Sequence, residues 1–162
     1  MLLPYRIVWG CGIVGLRPLT EGDYADLVEL WKDAGLSWDL GDDQRSYVEA
    51  VRRFGQHYWG YQWHDRLIGC VLGAFDGRRG RIYHLAVADP FRCRGIGRLL
   101  MQAAERSLQQ NGCQKINLLI EPHNLEVAAF YQALGYQAPD NRFMEKSLVT
   151  LTPPGGAPGE IV

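Results

Sequence analysis

Arg92-Cys93-Arg94-Gly95-Ile96-Gly97-Arg98 sets three cations and two glycines just before a stretch with helical periodicity, a combination suited to holding phosphate. The first N–H groups of a helix lack intrahelical partners, and the macrodipole adds partial positive charge there. Gly95 and Gly97 carry no side chain to keep a pyrophosphate away from those donors, and Arg92, Arg94 and Arg98 add charge around it. A purely structural glycine turn fits the same residues. Two other phosphate motifs do not. A dinucleotide fingerprint needs a third glycine where Leu100 stands and an acid near Asn117. A Walker loop needs Lys-Ser/Thr after Gly97, and Arg98-Leu99 follows instead.

The elements that must position this turn are readable from pattern. Apolar spacing predicts helices over 22–33 and 44–54, separated by a loop with Trp38, Asp39, Asp42 and Asp43. Aromatic and β-branched runs over 58–63 and 67–75 flank His64-Asp65-Arg66 and predict a hairpin, with a third strand over 81–88 ending at Asp89-Pro90. Ile96, Leu99, Leu100, Ala103, Ala104 and Leu108 form the clearest helical stripe, stopped by Asn111-Gly112. A buried strand is expected over 115–120, then a helix capped by Asn124 and carrying Val127, Phe130, Tyr131 and Leu134, then a last strand over 142–148. Strands in a run followed by strands alternating with helices give an α/β (α+β) class, a mixed sheet flanked by helices.

The chain has 162 residues, the size of one domain. Its 17 Lys+Arg and 18 Asp+Glu leave a net charge of -1, without the basic excess of a nucleic-acid binder. Cys11, Cys70, Cys93 and Cys113 form no CxxC pair, so free thiols in a reducing cytoplasm are expected, with no metal site. The apolar start contains Arg6 and is shorter than the roughly 20 residues of a spanning helix, so a strand is expected there and no membrane association. The divisions are an extension over 1–11, a domain over 12–148, and a Pro/Gly-rich tail over 149–162 expected to be disordered.

Two blocks carry a family resemblance. Residues 85–101, with Arg92, Gly95 and Gly97 in the pattern Arg/Gln-x-x-Gly-x-Gly/Ala, resemble the acetyl-CoA motif of the GNAT superfamily of N-acetyltransferases. Residues 124–136 are similar to its second block, Asn-x-x-Ala-x-x-Phe-Tyr followed by Leu-Gly-Phe/Tyr, with Val127 in place of the usual alanine. The resemblance implies a mostly antiparallel sheet of about six or seven strands with about four helices, and a splayed-strand cleft for acetyl-CoA. It implies cofactor contacts from Leu85, Val87, residues 92–98 and Asn124. A bulge would precede the turn, and Leu85 and Val87 would offer backbone groups to the pantetheine arm and the thioester. A donor fixed where negative charge develops needs no reorganisation during reaction.

The same resemblance implies that Tyr131 protonates the departing thiolate; a core aromatic is the alternative. Family members place an acid or histidine where Arg81 and Tyr83 stand, so the base is open. Glu121 acting through water is one candidate, and Tyr83 itself is another. His84 is expected to face away from Tyr83 by strand alternation, a structural role being its plainer reading. The acceptor amine is expected near Trp38, Asp39, Asp42 and Asp43, although either Asp42 or Asp43 would also serve as a helix cap. Three functions fit: acetylation of a small-molecule or peptide amine, acetylation of a protein N-terminus, and a non-catalytic acyl-CoA-binding module. The resemblance also allows a homodimer.

Overall fold

A computed structural model describes residues 6–9, 12–37, 39–140 and 142–149. The chain divides into two units, Met1–Val127 and Ala128–Val162. The first holds a six-stranded sheet in the order β1-β2-β3-β4-β5-β6. Its elements run β1 (Arg6–Trp9), β2 (Gly12–Pro18), α1 (Tyr24–Asp33), α2 (Gln44–Phe54), β3 (Trp59–Trp63), β4 (Arg66–Phe75), β5 (Gly80–Val87), α3 (Ile96–Gln110) and β6 (Ile116–Leu118). Neighbouring strands are antiparallel except β5 and β6, which are parallel. The mixed, mostly antiparallel sheet expected from sequence is therefore present. The second unit holds α4 (Ala128–Ala133).

β4 is the core strand. Leu67, Ile68, Cys70, Val71 and Leu72 are all buried along it, because helices cover both of its faces. A side chain at Gly69 would meet Leu100 and Ile96 of α3. The next residue, Cys70, lies beside Trp31 of α1. Successive strand residues face opposite ways, so α1 and α3 lie on opposite faces. The buried stripe of α3 is Ile96, Leu100, Met101, Ala103, Ala104, Ser107 and Leu108, close to the predicted one. α2 begins where the spacing placed it because Asp43 caps it, its carboxylate accepting from the Ser46 N–H at 3.1 Å and the Ser46 hydroxyl at 2.6 Å.

Arg6–Trp9 pairs with β2 as an edge strand, the strand expected at the start of the chain. Two expectations change. The helix expected from Asn124 starts only at Ala128; Pro122–Val127 is 3-10 turn, with Asn124 at a kink (φ -123°, ψ 31°), so Asn124 does not cap α4. Residues 142–149 form no strand, and Phe143, Met144 and Leu148 are exposed. A strand requires a ladder partner, and local alternation cannot show whether one is available. Among the described residues no helix is long and apolar enough to cross a membrane, and no cluster of three or more His, Cys, Asp or Glu is placed to hold a metal.

One buried polar pair ties stability to pH. His57 is 1% exposed, its Nδ1 lies 3.0 Å from the Ser107 hydroxyl of α3, and burial lowers its pKa below 6.5. The unfolded chain therefore binds a proton that the folded chain resists. The contribution is intact above the unfolded value and is lost as pH falls towards the lowered folded one. We expect the melting temperature to fall between about pH 7 and pH 5, and to fall less in His57→Asn, which cannot titrate. Equal slopes in the two proteins would exclude His57 as the source.

Candidate active site

The register between β4 and β5 breaks where the site begins. Leu72 pairs with Tyr83 and Cys70 with Ala86, two steps on one strand against three on the other. β5 thus carries an extra residue, a bulge at His84-Leu85, with His84 in the left-handed region at φ 48°. The bulge changes which side the main chain faces. Before it, the Gly80 N–H donates towards β6, to the Lys115 carbonyl at 2.9 Å. After it, the Ala88 N–H donates towards β4, to the Ile68 carbonyl at 2.9 Å. By alternation the groups of Leu85 and Val87 face away from β4. Pairing with β6 covers only Gly80, Arg81 and Ile82, so β5 parts from β6 beyond Ile82 and leaves a gap edged by Leu85 and Val87.

The same bulge overturns the alternation expected for His84. Tyr83 and Ala86 share a face because their partners Leu72 and Cys70 do. The His84 ring also lies on that face, 4.6 Å from the Trp31 ring of α1. Its Nε2 is 3.1 Å from Asp42 Oδ1. Asp42 Oδ2 accepts the Asp39 N–H at 2.9 Å, and its carbonyl accepts the Tyr24 hydroxyl at 2.9 Å. The loop acids considered for attracting a cation thus have partners within the chain: Asp43 caps α2, Asp42 holds His84, and Asp39 Oδ1 accepts the Leu40 N–H at 2.7 Å. Trp38 lies outside the described residues.

The glycine turn follows a short 3-10 turn, Asp89–Phe91. Cys93 (φ 58°) and Gly95 (φ 82°) both adopt left-handed backbone. The first helical bond of α3 runs from Leu99 N–H to the Gly95 carbonyl, 3.1 Å, so the N–H groups of Ile96, Gly97 and Arg98 precede it without a helical acceptor. No side chain caps this end, and a Cβ on Gly95 would meet nothing within 4 Å. Cys93, Arg94, Gly95 and Arg98 are exposed, while Ile96 is buried in the core and anchors the helix start.

Arg92 has other partners. Its Nε donates to the Val87 carbonyl at 3.1 Å, and its Nη2 donates to the Ala34 carbonyl at 3.0 Å and lies 2.8 Å from Asp89 Oδ1. It braces the end of α1 against the end of β5. Arg94 lies over Phe91, 5.7 Å from its ring centre.

Tyr83 is 41% exposed with the Arg81 guanidinium 5.2 Å from its ring centre. Beside it, burial and then the nearby Tyr83 push the Tyr58 phenol up to about 12. Glu121 is exposed, three residues past β6. In the second unit Tyr131 is buried against the rings of Phe130 and Tyr136, 5.2 and 5.8 Å away. That burial pushes its phenol up to about 12, so it is held as an O–H donor.

The first unit thus presents helix-start amides without helical acceptors and, on the strand before them, the main-chain groups of Leu85 and the Val87 N–H facing away from β4. The profile of the Acetyltransferase (GNAT) family matches residues 24–136. An acetyltransferase from Yersinia enterocolitica is 26% identical over 134 residues, covering 83% of this chain and 95% of that protein. The PaiA N-acetyltransferase of Thermoplasma acidophilum, solved in complex with coenzyme A, superposes with a TM-score of 0.70 at 16% identity over 80% of this chain and 92% of that one. Glucosamine-6-phosphate N-acetyltransferase from Arabidopsis thaliana gives 0.60 at 19% identity over 83% and 97%. These structures share the fold, and the profile spans well over half of the sequence. The chain belongs to the Acetyltransferase (GNAT) family and is an acetyl-CoA-dependent acyltransferase.

Proposed function

We propose that the enzyme acetylates a primary amine of low pKa, an α-amino group on a small molecule or peptide, by direct attack in a ternary complex. One observation carries the choice of acceptor. The positions on β5 suited to a base hold Arg81 and Tyr83, and the neighbouring His84 spends Nε2 on Asp42. An α-amine with a reference pKa of about 7.7–8.0 is roughly a tenth free base at pH 7, whereas lysine, near 10.4, is several hundredfold poorer. The α-amine needs little help to lose its proton.

In this reading the amides of 95–98 hold the diphosphate, and the main-chain groups of Leu85 and Val87 align the arm and present an N–H to the carbonyl oxygen as charge develops on it. The amine nitrogen attacks the carbonyl carbon, the C–S bond breaks, and the Tyr131 O–H gives its proton to sulfur. The proton shed by the new amide nitrogen goes to solvent, which also restores the phenol.

The test is thiol release from acetyl-CoA with α-amines set against lysine-type amines. Turnover confined to lysine-type amines, with an acidic limb well above about pH 9, would refute the acceptor assignment. Peptide α-amines outrunning free amino acids would favour protein N-termini.

Cys93 reports on the turn independently. It is exposed, whereas Cys70 and Cys113 are buried, and burial pushes the Cys70 thiol up to about 12. In a Cys11→Ser background, alkylation by iodoacetamide is expected to fall on Cys93. It should slow with rising desulfo-coenzyme A, which has no thiol to consume the reagent, following the affinity found by calorimetry. Labelling indifferent to desulfo-coenzyme A would place the diphosphate elsewhere.

A further inference from the structure

We infer that His84 is a positioning residue for acyl transfer: held between Trp31 and Asp42, it fixes the bulge that turns Leu85 and Val87 into the gap, and through Asp42 it fastens the α1–α2 loop to that strand. The inference rests on the reading of β5 as the strand that receives the thioester.

Left-handed backbone at a residue other than glycine persists where its surroundings over-determine it, and such positions gather at functional sites. His84 is held from three directions. Trp31 covers its ring at 4.6 Å, Asp42 takes its Nε2 at 3.1 Å, and the Cys70 thiol donates to its carbonyl at 3.2 Å. A carboxylate only accepts, so Nε2 carries the proton. Nδ1 is buried and has no hydrogen-bond partner among the described residues. The ring therefore presents no lone pair to an incoming amine, and its chemistry is that of a clamp.

The clamp has reach on the loop side as well. Asp42 gathers the Asp39 N–H and the Tyr24 hydroxyl, so residues 39–43 are tied to the strand that aligns the thioester. The titratable and charged groups facing His84 are Asp42 from the loop and Cys70 from β4, with Tyr24 of α1 reaching it through the Asp42 carbonyl, while Arg81 and Tyr83 lie along its own strand.

Infrared difference spectra of the full-length protein with acetyl-CoA labelled at the carbonyl carbon read the thioester without an acceptor. The bound carbonyl band should lie below its free position in the wild type. Much of that displacement should vanish in His84→Ala and in Asp42→Ala. It should survive in His84→Gln, whose amide nitrogen falls near the position of Nε2 and still donates to Asp42. With an amine that turns over, kcat should drop about 10²-fold in His84→Ala, the scale of a small misplacement of reacting atoms. The KM for acetyl-CoA should change little, and His84→Gln should recover kcat with the wild-type pH profile.

If His84→Ala does not fold, Asp42→Ala carries the test. A band unmoved in the variants overturns the clamp, and so does a His84→Gln enzyme that loses its acidic limb, which would assign proton transfer to the imidazole. Calorimetry with coenzyme A separates the failures. A wild type that binds coenzyme A, with unmoved bands in the variants, refutes only the clamp. A wild type that does not bind refutes the reading beneath it.

Discussion

Tyr131→Phe is expected to lower kcat by about 10²–10⁴-fold, the usual contribution of a positioned proton donor, with little change in affinity for coenzyme A. The substitution removes only the hydroxyl, so the ring keeps its contacts with Phe130 and Tyr136 and α4 keeps its packing. A phenol is protonated at neutral pH, as an acid must be before its proton is needed. An alkyl thiol has a reference pKa of about 8.5, so the departing sulfur can leave unprotonated when the thiol is made more acidic. A thioester of an aromatic thiol should therefore recover much of the lost rate in Tyr131→Phe, while acetyl-CoA should not. Equal rates for Tyr131→Phe and wild type with acetyl-CoA would remove Tyr131 from the chemistry.

Gly95→Val should weaken coenzyme A binding by about tenfold to a hundredfold, from a backbone strain of about 1–3 kcal/mol. Gly95 sits at φ 82°, where a β-branched residue is a genuine outlier. In the free protein the exposed turn relaxes and sheds that strain. Binding a diphosphate requires the original turn, so the cost reappears as lost affinity. Gly95→Asn, which tolerates left-handed backbone, should retain most of it. The melting temperature should move little, since a Cβ at this position meets no neighbour. Calorimetry across the three proteins checks the order. Full affinity in Gly95→Val would mean that the turn does not cradle the ligand.

The parts of the molecule legible in sequence are those governed by local rules. α2 spans the residues its spacing indicated because Asp43, its cap, is a neighbour in the chain. The β3–β4 hairpin and the glycine turn were visible for the same reason. What escaped depends on distant partners. Asp42 and His84 meet across the fold, and no local signal pairs them; a histidine within the predicted strand and an acid in a loop were the only hints. The bulge defeated strand alternation, which assumes a regular ladder and so sent His84 to the wrong face. Arg92 read as charge for an anion, but three protein oxygens claim it, two of them carbonyls that composition cannot reveal. The helix start was misjudged because Asn124 has the chemistry of a cap without the backbone of one.

At Gly80 the sheet is pinched. A side chain there would sit 2.7 Å from the Cys113 sulfur and 3.1 Å from Ile116, so β5, β6 and the end of α3 touch with nothing to spare. Only three residue pairs later the two strands have separated. A fork of this kind opens by flexing its tines and not its root, and displacement grows with distance from the root. Any widening of the gap therefore comes from the Leu85–Val87 end, while the end at Gly80 stays fixed.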